Sequence, residues 1–121
     1  MSILVVEDDA SIRETLGMVL EAYNYEAVLL DTGEKVMAYL RKNWPDLMLL
    51  DLNLQDSSGE DVYANIISEF GRVPPTIVLS AVQSGAISIQ KMVGAVFMSK
   101  PYGIEQLLEV IEKNITTRGA A

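Results

Sequence analysis

Short apolar runs alternate with segments of helical periodicity along the whole chain, and this alternation is the feature that most limits the possible folds. The runs are rich in Val, Ile and Leu, and they comprise Ile3 to Val6, Glu26 to Leu30, Asp46 to Asp51, Thr76 to Ser80 and Ala95 to Ser99. Runs that are apolar throughout are typical of parallel strands buried on both faces of a sheet. Each is far shorter than the roughly 20 residues of a membrane span.

A helical segment with one apolar stripe follows most of these runs. The predicted stripes are Ile12, Leu16, Val19 and Leu20; Val36, Met37, Tyr39 and Leu40; Val62, Ile66, Ile67 and Phe70; and Leu107, Leu108, Ile111 and Ile115. Asp9 or Ser11 can cap the first helix. The segment from Ala81 to Gly94 has low helix propensity, so the fourth predicted helix should be short.

A strand followed by a helix, repeated five times, predicts an α/β fold of the (βα)5 type. We expect a five-stranded parallel sheet with helices on both faces, right-handed crossovers and the flavodoxin-like strand order 2-1-3-4-5. The 121 residues fit one domain. Residues 116–121 are expected to be a frayed tail or the stub of a linker.

Composition excludes several kinds of function. The chain has no Cys and no His, which removes thiolate chemistry and the commonest general base. Its net charge of −8 repels nucleic-acid phosphate, so we expect no direct nucleic-acid binding by this domain. The runs are too short for membrane insertion, and the start lacks a basic signal region, so a cytoplasmic location is expected.

Four of the predicted strands end on chemically capable side chains: Glu7 with Asp8, Asp51, Ser80 and Lys100. In a parallel sheet these ends meet at one edge, where open α/β sheets bind ligands. Clustered carboxylates require a cation or protons, and a set made only of oxygen ligands favours Mg²⁺ or Mn²⁺. A metal, a carboxylate nucleophile and an ammonium group together suit phosphoryl transfer to Asp51.

The same residues carry a resemblance to a known family. The matching motifs are Leu4 to Asp9, Leu49 to Leu54, Ser58-Gly59, Val78 to Ala81 and Ser99 to Tyr102. With these motifs in this order, the chain resembles the CheY-like receiver domains of two-component response regulators from Ile3 to Ile115. The resemblance implies that Asp51 accepts a phosphoryl group from a sensor histidine kinase or a histidine phosphotransfer protein.

The resemblance also implies the roles of the residues around Asp51. Asp8 and Asp51 would bind Mg²⁺ through their side chains, Asn53 would bind it through its backbone carbonyl, and Glu7 would act through a metal-bound water. Lys100 would pair with the phosphoryl group or, before transfer, with Asp51.

Three further positions would transmit the signal. Ser80 would donate its hydroxyl to a phosphoryl oxygen, Phe97 would be the aromatic switch residue, and Pro101 would form a cis-proline turn that aims Lys100. Phosphorylation would then change the surface made by the fourth helix, the fifth strand and the last helix.

Some features depart from the family pattern. Gln55 stands where the family usually has proline, Asp56 could add negative charge near the site, and the interval from Ser80 to Lys100 is short. The charges expected for a family-type dimer are not evident in the last helix, so the oligomeric state stays open, as do the cognate kinase and any output domain.

Three other functions remain possible from the residues alone. The first is a pseudo-receiver that binds partners without phosphorylation. The second is an aspartyl-phosphate hydrolase, which usually needs a second acid where this chain has Asn53. The third is a flavodoxin-type carrier, although the acidic Glu7-Asp8-Asp9 loop would repel a flavin phosphate. A receiver would have at most slow autophosphatase activity and would not be a conventional enzyme.

Overall fold

The structure is a computed structural model that describes residues 1–54, 56–81, 92–100 and 102–120, without the side chains of residue 81 and residues 116–120. Strands and helices alternate along the chain. In order, they are β1 (Ser2–Val6), α1 (Ala10–Ala22), β2 (Glu26–Leu30), α2 (Gly33–Leu40), β3 (Leu47–Asp51), α3 (Gly59–Phe70), β4 (Thr76–Ala81), β5 (Val96–Lys100) and α4 (Ile104–Ala120). All five predicted strands are confirmed, with ends that differ by one residue at most.

The five strands form one parallel sheet in the order β2-β1-β3-β4-β5, which confirms the predicted topology. The strand order reverses between β1 and β3, where Val6 lies beside Leu50. The residues that follow Val6 and Leu50 therefore emerge next to each other at the carboxyl edge, where ligands bind in open α/β sheets.

Each face of the sheet is covered by its own hydrophobic cluster. Alternate strand residues point to opposite faces, so Leu49 and Leu79 belong to the cluster that also contains residues of α1 and α4. Leu50 and Val78 belong to the other cluster, which also contains residues of α2 and α3. Leu49, Leu50 and Val78 have no exposed surface at all. Burial on both faces explains why the strands are apolar throughout.

Side chains define where the helices begin. Asp9 caps α1, since its carboxylate accepts a hydrogen bond from Ile12 N at 3.0 Å, which selects the first of the two predicted caps. Ser58 caps α3 by accepting from Asp61 N at 3.1 Å. Gly71 ends α3 at a φ of 73°, a left-handed conformation that glycine adopts without steric cost.

Two details of the predicted helix stripes are wrong. Ile12 is 40% exposed because it lies in the first turn of α1, where it lines an open groove of about 470 Å³ with Tyr102 and Ile104. Ile67 is 43% exposed, whereas Tyr63 is buried in its place. Tyr63 precedes Ile66 by three residues, and its hydroxyl donates to the carbonyl of Val93 at 2.9 Å. The Val93 carbonyl thus gives the Tyr63 hydroxyl a hydrogen-bond partner while the Tyr63 ring is buried.

The last helix, α4, extends as far as Ala120. The expectation that residues 116–121 form a frayed tail or the stub of a linker stays a prediction. No proline interrupts this stretch, so the backbone can continue its helical hydrogen bonding. The predicted fourth helix falls mainly on residues 82–91, and the expected effects of Gln55 and Pro101 also lie outside the described residues. Among the described helices, none combines the length and apolar character that crossing a membrane requires.

Candidate functional site

Three carboxylates converge at the carboxyl edge of the sheet. Glu7 and Asp8 directly follow β1, and Asp51 is the last residue of β3. Each contributes one carboxylate oxygen to a group in which these oxygens all lie within 4.8 Å of one another. The adjacency of β1 and β3 produces this contact between residues more than 40 positions apart in the sequence.

The carboxylates of Glu7 and Asp51 are shielded from water. Glu7 is 2% exposed and Asp51 is 4% exposed, whereas Asp8 is half-buried. Glu7 Oε2 accepts a hydrogen bond from Asp9 N at 3.3 Å, but no donor reaches the buried Oε1 atom. The pKa of Glu7 is raised to about 8, mainly because the carboxyl group is buried and secondly because the Asp51 carboxylate lies next to it. When Glu7 is protonated, its carboxyl group can donate a hydrogen bond to the Asp51 carboxylate. When both groups are ionised, they repel each other unless a cation binds between them.

Within the described part of the chain, Lys100 forms an ion pair with a carboxylate of this cluster. Lys100 Nζ lies 3.4 Å from Asp51 Oδ1, and its side chain is about one-third exposed. Its single positive charge leaves two of the three negative charges uncompensated when all three carboxylates are ionised. The burial of these charges makes such a state costly without a further cation.

The residues present fit a divalent metal ion. All three carboxylates are oxygen donors, as Mg²⁺ and Mn²⁺ prefer, and the partnerless Glu7 Oε1 atom is a buried acceptor that a cation or a metal-bound water would satisfy. The chain has no His or Cys that would favour zinc.

The backbone of Asn53 faces the same cluster. Its N–H group donates to Asp51 Oδ1 at 3.3 Å. Asn53 also pairs with Ser58 in an isolated antiparallel bridge, flanked by hydrogen bonds from Gly59 N to Leu52 O and from Leu54 N to Ser57 O. In a bridge of this kind, the N–H and carbonyl of the central residue both point away from its partner. The Asn53 carbonyl therefore points to the side on which Asp51 lies.

Close backbone packing holds the end of β3. A Cβ atom at Gly59 would lie 2.6 Å from the carbonyl oxygen of Asp51 and 2.9 Å from Leu52 Cα. These distances are shorter than real Cβ atoms tolerate, and the neighbouring atoms belong to the backbone. The Ser58-Gly59 motif thus has a local structural reason: only glycine lets α3 begin so close to Asp51.

Ser80 and Phe97 lie on the two neighbouring strands. Ser80 follows Leu79, the register partner of Asp51, and is 5% exposed. Phe97 is half-buried and packs against the same cluster as Val78, its register partner. Because side chains alternate along a strand, Ser80 and Phe97 belong to the same face of the sheet.

Two contacts near the site were not found by sequence reasoning. The side chain of Arg13 donates to the carbonyl oxygens of Glu7 at 2.9 Å and Asp8 at 3.3 Å, and so braces the loop after β1. Asp56 is not one of the three carboxylates of the cluster, and its own carboxylate accepts hydrogen bonds from the first two N–H groups of α2. Neither contact has a sequence signal, since each depends on how a loop folds back.

Comparison with known proteins identifies the family. The family model described as "Response regulator receiver domain" matches residues 3–112. The chain belongs to this family. Receiver domains are the signal-receiving modules of response regulators in two-component signalling, so the resemblance inferred from the motifs is confirmed.

Curated relatives of this receiver domain are longer proteins. The sensory transduction protein RegX3 of Mycolicibacterium smegmatis is 31% identical over 124 residues, covering 98% of this chain and 52% of that protein. The transcriptional regulatory protein KdpE of Mycobacterium tuberculosis is 27% identical over 121 residues, covering 98% of this chain and 53% of that protein. The receiver domain thus spans about half the length of these relatives.

Solved structures share the receiver fold. A CheY-like response regulator receiver domain protein from Methanospirillum hungatei aligns with a TM-score of 0.85 at 23% identity, covering 98% of this chain and 96% of that one. The receiver domain of sensor histidine kinase PA1611 from Pseudomonas aeruginosa aligns with a TM-score of 0.85 at 23% identity, covering 95% and 97%. That structure has a magnesium ion coordinated in its active-site cleft.

Proposed function

We propose that this receiver domain accepts a phosphoryl group on Asp51 from a phosphohistidine of a sensor histidine kinase or a histidine phosphotransfer protein. This receiver domain contains no His, which fits a donor histidine supplied from outside the domain. The observation that supports this proposal best is the position of Asp51: it is buried at the end of β3, within reach of two further carboxylates and of Lys100.

The chemistry follows from the groups around Asp51. A carboxylate oxygen of Asp51 attacks phosphorus, the bond from phosphorus to the donor nitrogen breaks, and an acyl phosphate forms on Asp51. Lys100 moves from Asp51 Oδ1 towards the phosphoryl oxygens, whose negative charge replaces that of the carboxylate as its partner.

A divalent cation belongs to this proposal. Asp8 and Asp51 would hold Mg²⁺, or Mn²⁺, through their carboxylates, Asn53 would contribute its backbone carbonyl, and Glu7 would contact a metal-bound water. When bound, the metal supplies positive charge that stabilises the phosphoryl oxygens during transfer.

The readout of phosphorylation is assigned to Ser80, Phe97 and Pro101. The Ser80 hydroxyl would donate to a phosphoryl oxygen, and its movement would leave room for the Phe97 ring to rotate. Pro101 would aim Lys100. The affected surface includes β5 and α4, where an output domain or a downstream target would be regulated. An output domain would belong to the same, longer protein as this receiver domain. We expect that protein to be cytoplasmic.

Acetyl phosphate with Mg²⁺ tests the proposal, because it can transfer its phosphoryl group to Asp51 and release acetate. We expect intact-mass spectrometry to detect one phosphoryl adduct on the wild-type protein and none on Asp51→Asn. Asp61→Asn is the matched control, because Asp61 is an exposed acid on α3 and its loss should leave the adduct unchanged.

The same experiment separates the proposal from its main alternative. A pseudo-receiver, which binds partners without phosphate, would form no adduct in any variant. An adduct that persists in Asp51→Asn would place the phosphorylated residue elsewhere and refute the assignment of Asp51. Slow loss of the adduct over time would measure the autophosphatase activity.

A further inference from the structure

The first turn of α2 is capped by two side chains from different parts of the chain. Gly33 N donates to Asp56 Oδ1 at 2.9 Å, and Glu34 N donates to Asp56 Oδ2 at 3.1 Å. Lys35 N donates to Thr32 Oγ1 at 3.2 Å. The first three N–H groups of a helix have no partner within the helix, so all three are satisfied here by side chains.

Thr32 is the local cap of α2, whereas Asp56 comes from the loop between β3 and α3, more than 20 residues further along the chain. Its two carboxylate oxygens each accept one backbone N–H, and its negative charge faces the positive end of the helix dipole. The hydrogen bond from Gly33 N holds the pKa of Asp56 below its usual range, so the carboxylate is ionised at neutral pH. These are charge-assisted contacts, stronger than those of a neutral cap.

Close packing reinforces this contact. A Cβ atom at Gly33 would lie 2.7 Å from Ser57 Oγ and 2.8 Å from Val62 Cγ2. The start of α2 therefore lies directly against the loop that carries Asp56 and against the first turns of α3. Ser57 Oγ in turn donates to Asp56 Oδ1 at 3.2 Å.

The same loop carries Asn53, whose backbone faces Asp51. The base of the loop is held by the hydrogen bond from Gly59 N to Leu52 O at 2.8 Å, and the bond from Leu54 N to Ser57 O lies closer to the tip. Asp56 lies in the tip and attaches it to α2. The loop is thus held at two places: its base is bound between β3 and α3, and its tip is bound to α2.

We propose that Asp56 is a positioning residue for the phosphorylation site. It acts through the loop between β3 and α3, which it holds against α2 so that the Asn53 carbonyl stays on the metal side of Asp51. At position 55 the resemblance expects proline, but glutamine stands there and lacks the ring that restricts φ. The hydrogen bonds of Asp56 supply a restraint of a different kind. This inference rests on the proposed function of Asp51.

Three variants separate positioning from simple helix capping. Asp56→Ala removes the caps of Gly33 and Glu34 together with the attachment of the loop. Thr32→Ala removes a cap from the same helix but does not touch the loop. Glu34→Gln removes one negative charge from the same region and leaves every contact of Asp56 in place, because only the Glu34 backbone is bound.

Two quantities are measured for each variant: the melting temperature without Mg²⁺, and the Mg²⁺ dissociation constant by titration calorimetry in 0.15 M NaCl, well below every melting temperature. We expect Thr32→Ala to melt about 4 °C lower, the usual effect of losing a helix cap, and Asp56→Ala, which loses two hydrogen bonds, to melt lower by at least as much. Only Asp56→Ala should raise the Mg²⁺ dissociation constant, by about tenfold, as for residues that orient metal ligands. Asp56→Asn keeps one acceptor oxygen, so its Mg²⁺ dissociation constant should lie between those of the wild type and Asp56→Ala.

Phosphorylation by acetyl phosphate supplies a further readout. If Asp56 positions a metal ligand, raising Mg²⁺ to saturation should restore the phosphorylation rate of Asp56→Ala to that of the wild type. A dissociation constant in Asp56→Ala equal to that in Thr32→Ala would show that Asp56 only caps α2 and would overturn the inference. An equal rise in Glu34→Gln would attribute the effect to charge alone and would also overturn it. Failure of the wild-type protein to bind Mg²⁺ would instead overturn the proposed function itself.

Discussion

The buried carboxyl group of Glu7 should make the stability of the metal-free protein fall as pH rises. Its pKa is raised to about 8 by burial and by the Asp51 carboxylate, whereas the ordinary value is 4.5. The folded state therefore holds this proton more tightly than the unfolded state. The resulting stabilisation is complete below pH 4.5 and is lost as pH rises to about 8. Linkage between these two values gives a loss of about 2 to 3 kcal/mol between pH 5 and pH 7.

Glu7→Gln tests this relation. Glutamine has nearly the same shape, its amide can donate to Asp51 as a protonated carboxyl group does, and it does not titrate. The free energy of unfolding of Glu7→Gln should therefore stay nearly constant between pH 5 and pH 7. At pH 7, without divalent cations, the variant should be more stable than the wild type by about 3 kcal/mol.

Urea denaturation, followed by tryptophan fluorescence, measures both free energies. Trp44 is the single tryptophan of the chain. Its ring lies edge-on to Phe70, with centroids 5.7 Å apart, and Arg72 lies 4.1 Å from its centroid on the ring face. Unfolding breaks both contacts, so the emission of Trp44 should report the global transition.

Five other described groups with shifted pKa values do not account for a loss of stability in this pH window. The pKa values of Asp31, Asp56 and Glu69 are lowered, so their contributions are lost only as pH falls through the acid range. The pKa values of Tyr39 and Tyr63 are raised above 10, far from the window. Saturating Mg²⁺ should remove the loss in the wild type, because the cation replaces the proton between the carboxylates. Equal pH slopes for the wild type and Glu7→Gln would refute this reasoning.

Three further predictions concern packing and surface charge, and all are measured by urea denaturation. Gly59→Ala should destabilise the protein by about 1 to 3 kcal/mol, because its Cβ would overlap the Asp51 carbonyl. Gly103→Ala is the control, because a Cβ atom at Gly103 meets no atom within 4 Å. An equal loss of stability in both variants would contradict the prediction. Leu50→Ala should cost about 2 to 5 kcal/mol, since Leu50 is fully buried, and a smaller loss would contradict its place in the core. Removing Arg41, which binds Glu69 on the surface through two hydrogen bonds, should change stability little because water screens this exposed ion pair, and a strong coupling in a double-mutant cycle would disprove this.

The strands were predictable because their signal is local. Each apolar run in the sequence corresponds to one strand, and the repeated strand-helix order restricts the topology to a parallel sheet. The polar residues at the strand ends follow from the same pattern, since the carboxyl ends of parallel strands meet at one edge. The grouping of Glu7, Asp8 and Asp51 could therefore be predicted from the sequence alone, and the structure confirms it.

Helix faces were predicted less accurately. The predicted stripe of α3 contains Ile67 and omits Tyr63, yet Tyr63 is buried and Ile67 is exposed. The carbonyl of Val93 accepts a hydrogen bond from the Tyr63 hydroxyl and so gives this buried group a polar partner. Its position depends on the segment before β5, 30 residues away, and helical periodicity contains no information about it.

By itself, the sequence determined the order of strands and helices, the sheet edge at which the acids meet, and the residue types available there, because these follow from short-range periodicity and from the direction of parallel strands. Only the tertiary structure decided that burial raises the pKa of Glu7 to about 8, that Arg13 binds the loop after β1, and that Asp56 caps α2. Burial, charge proximity and loop attachment depend on distances between residues that are remote in the sequence, and packing alone sets those distances.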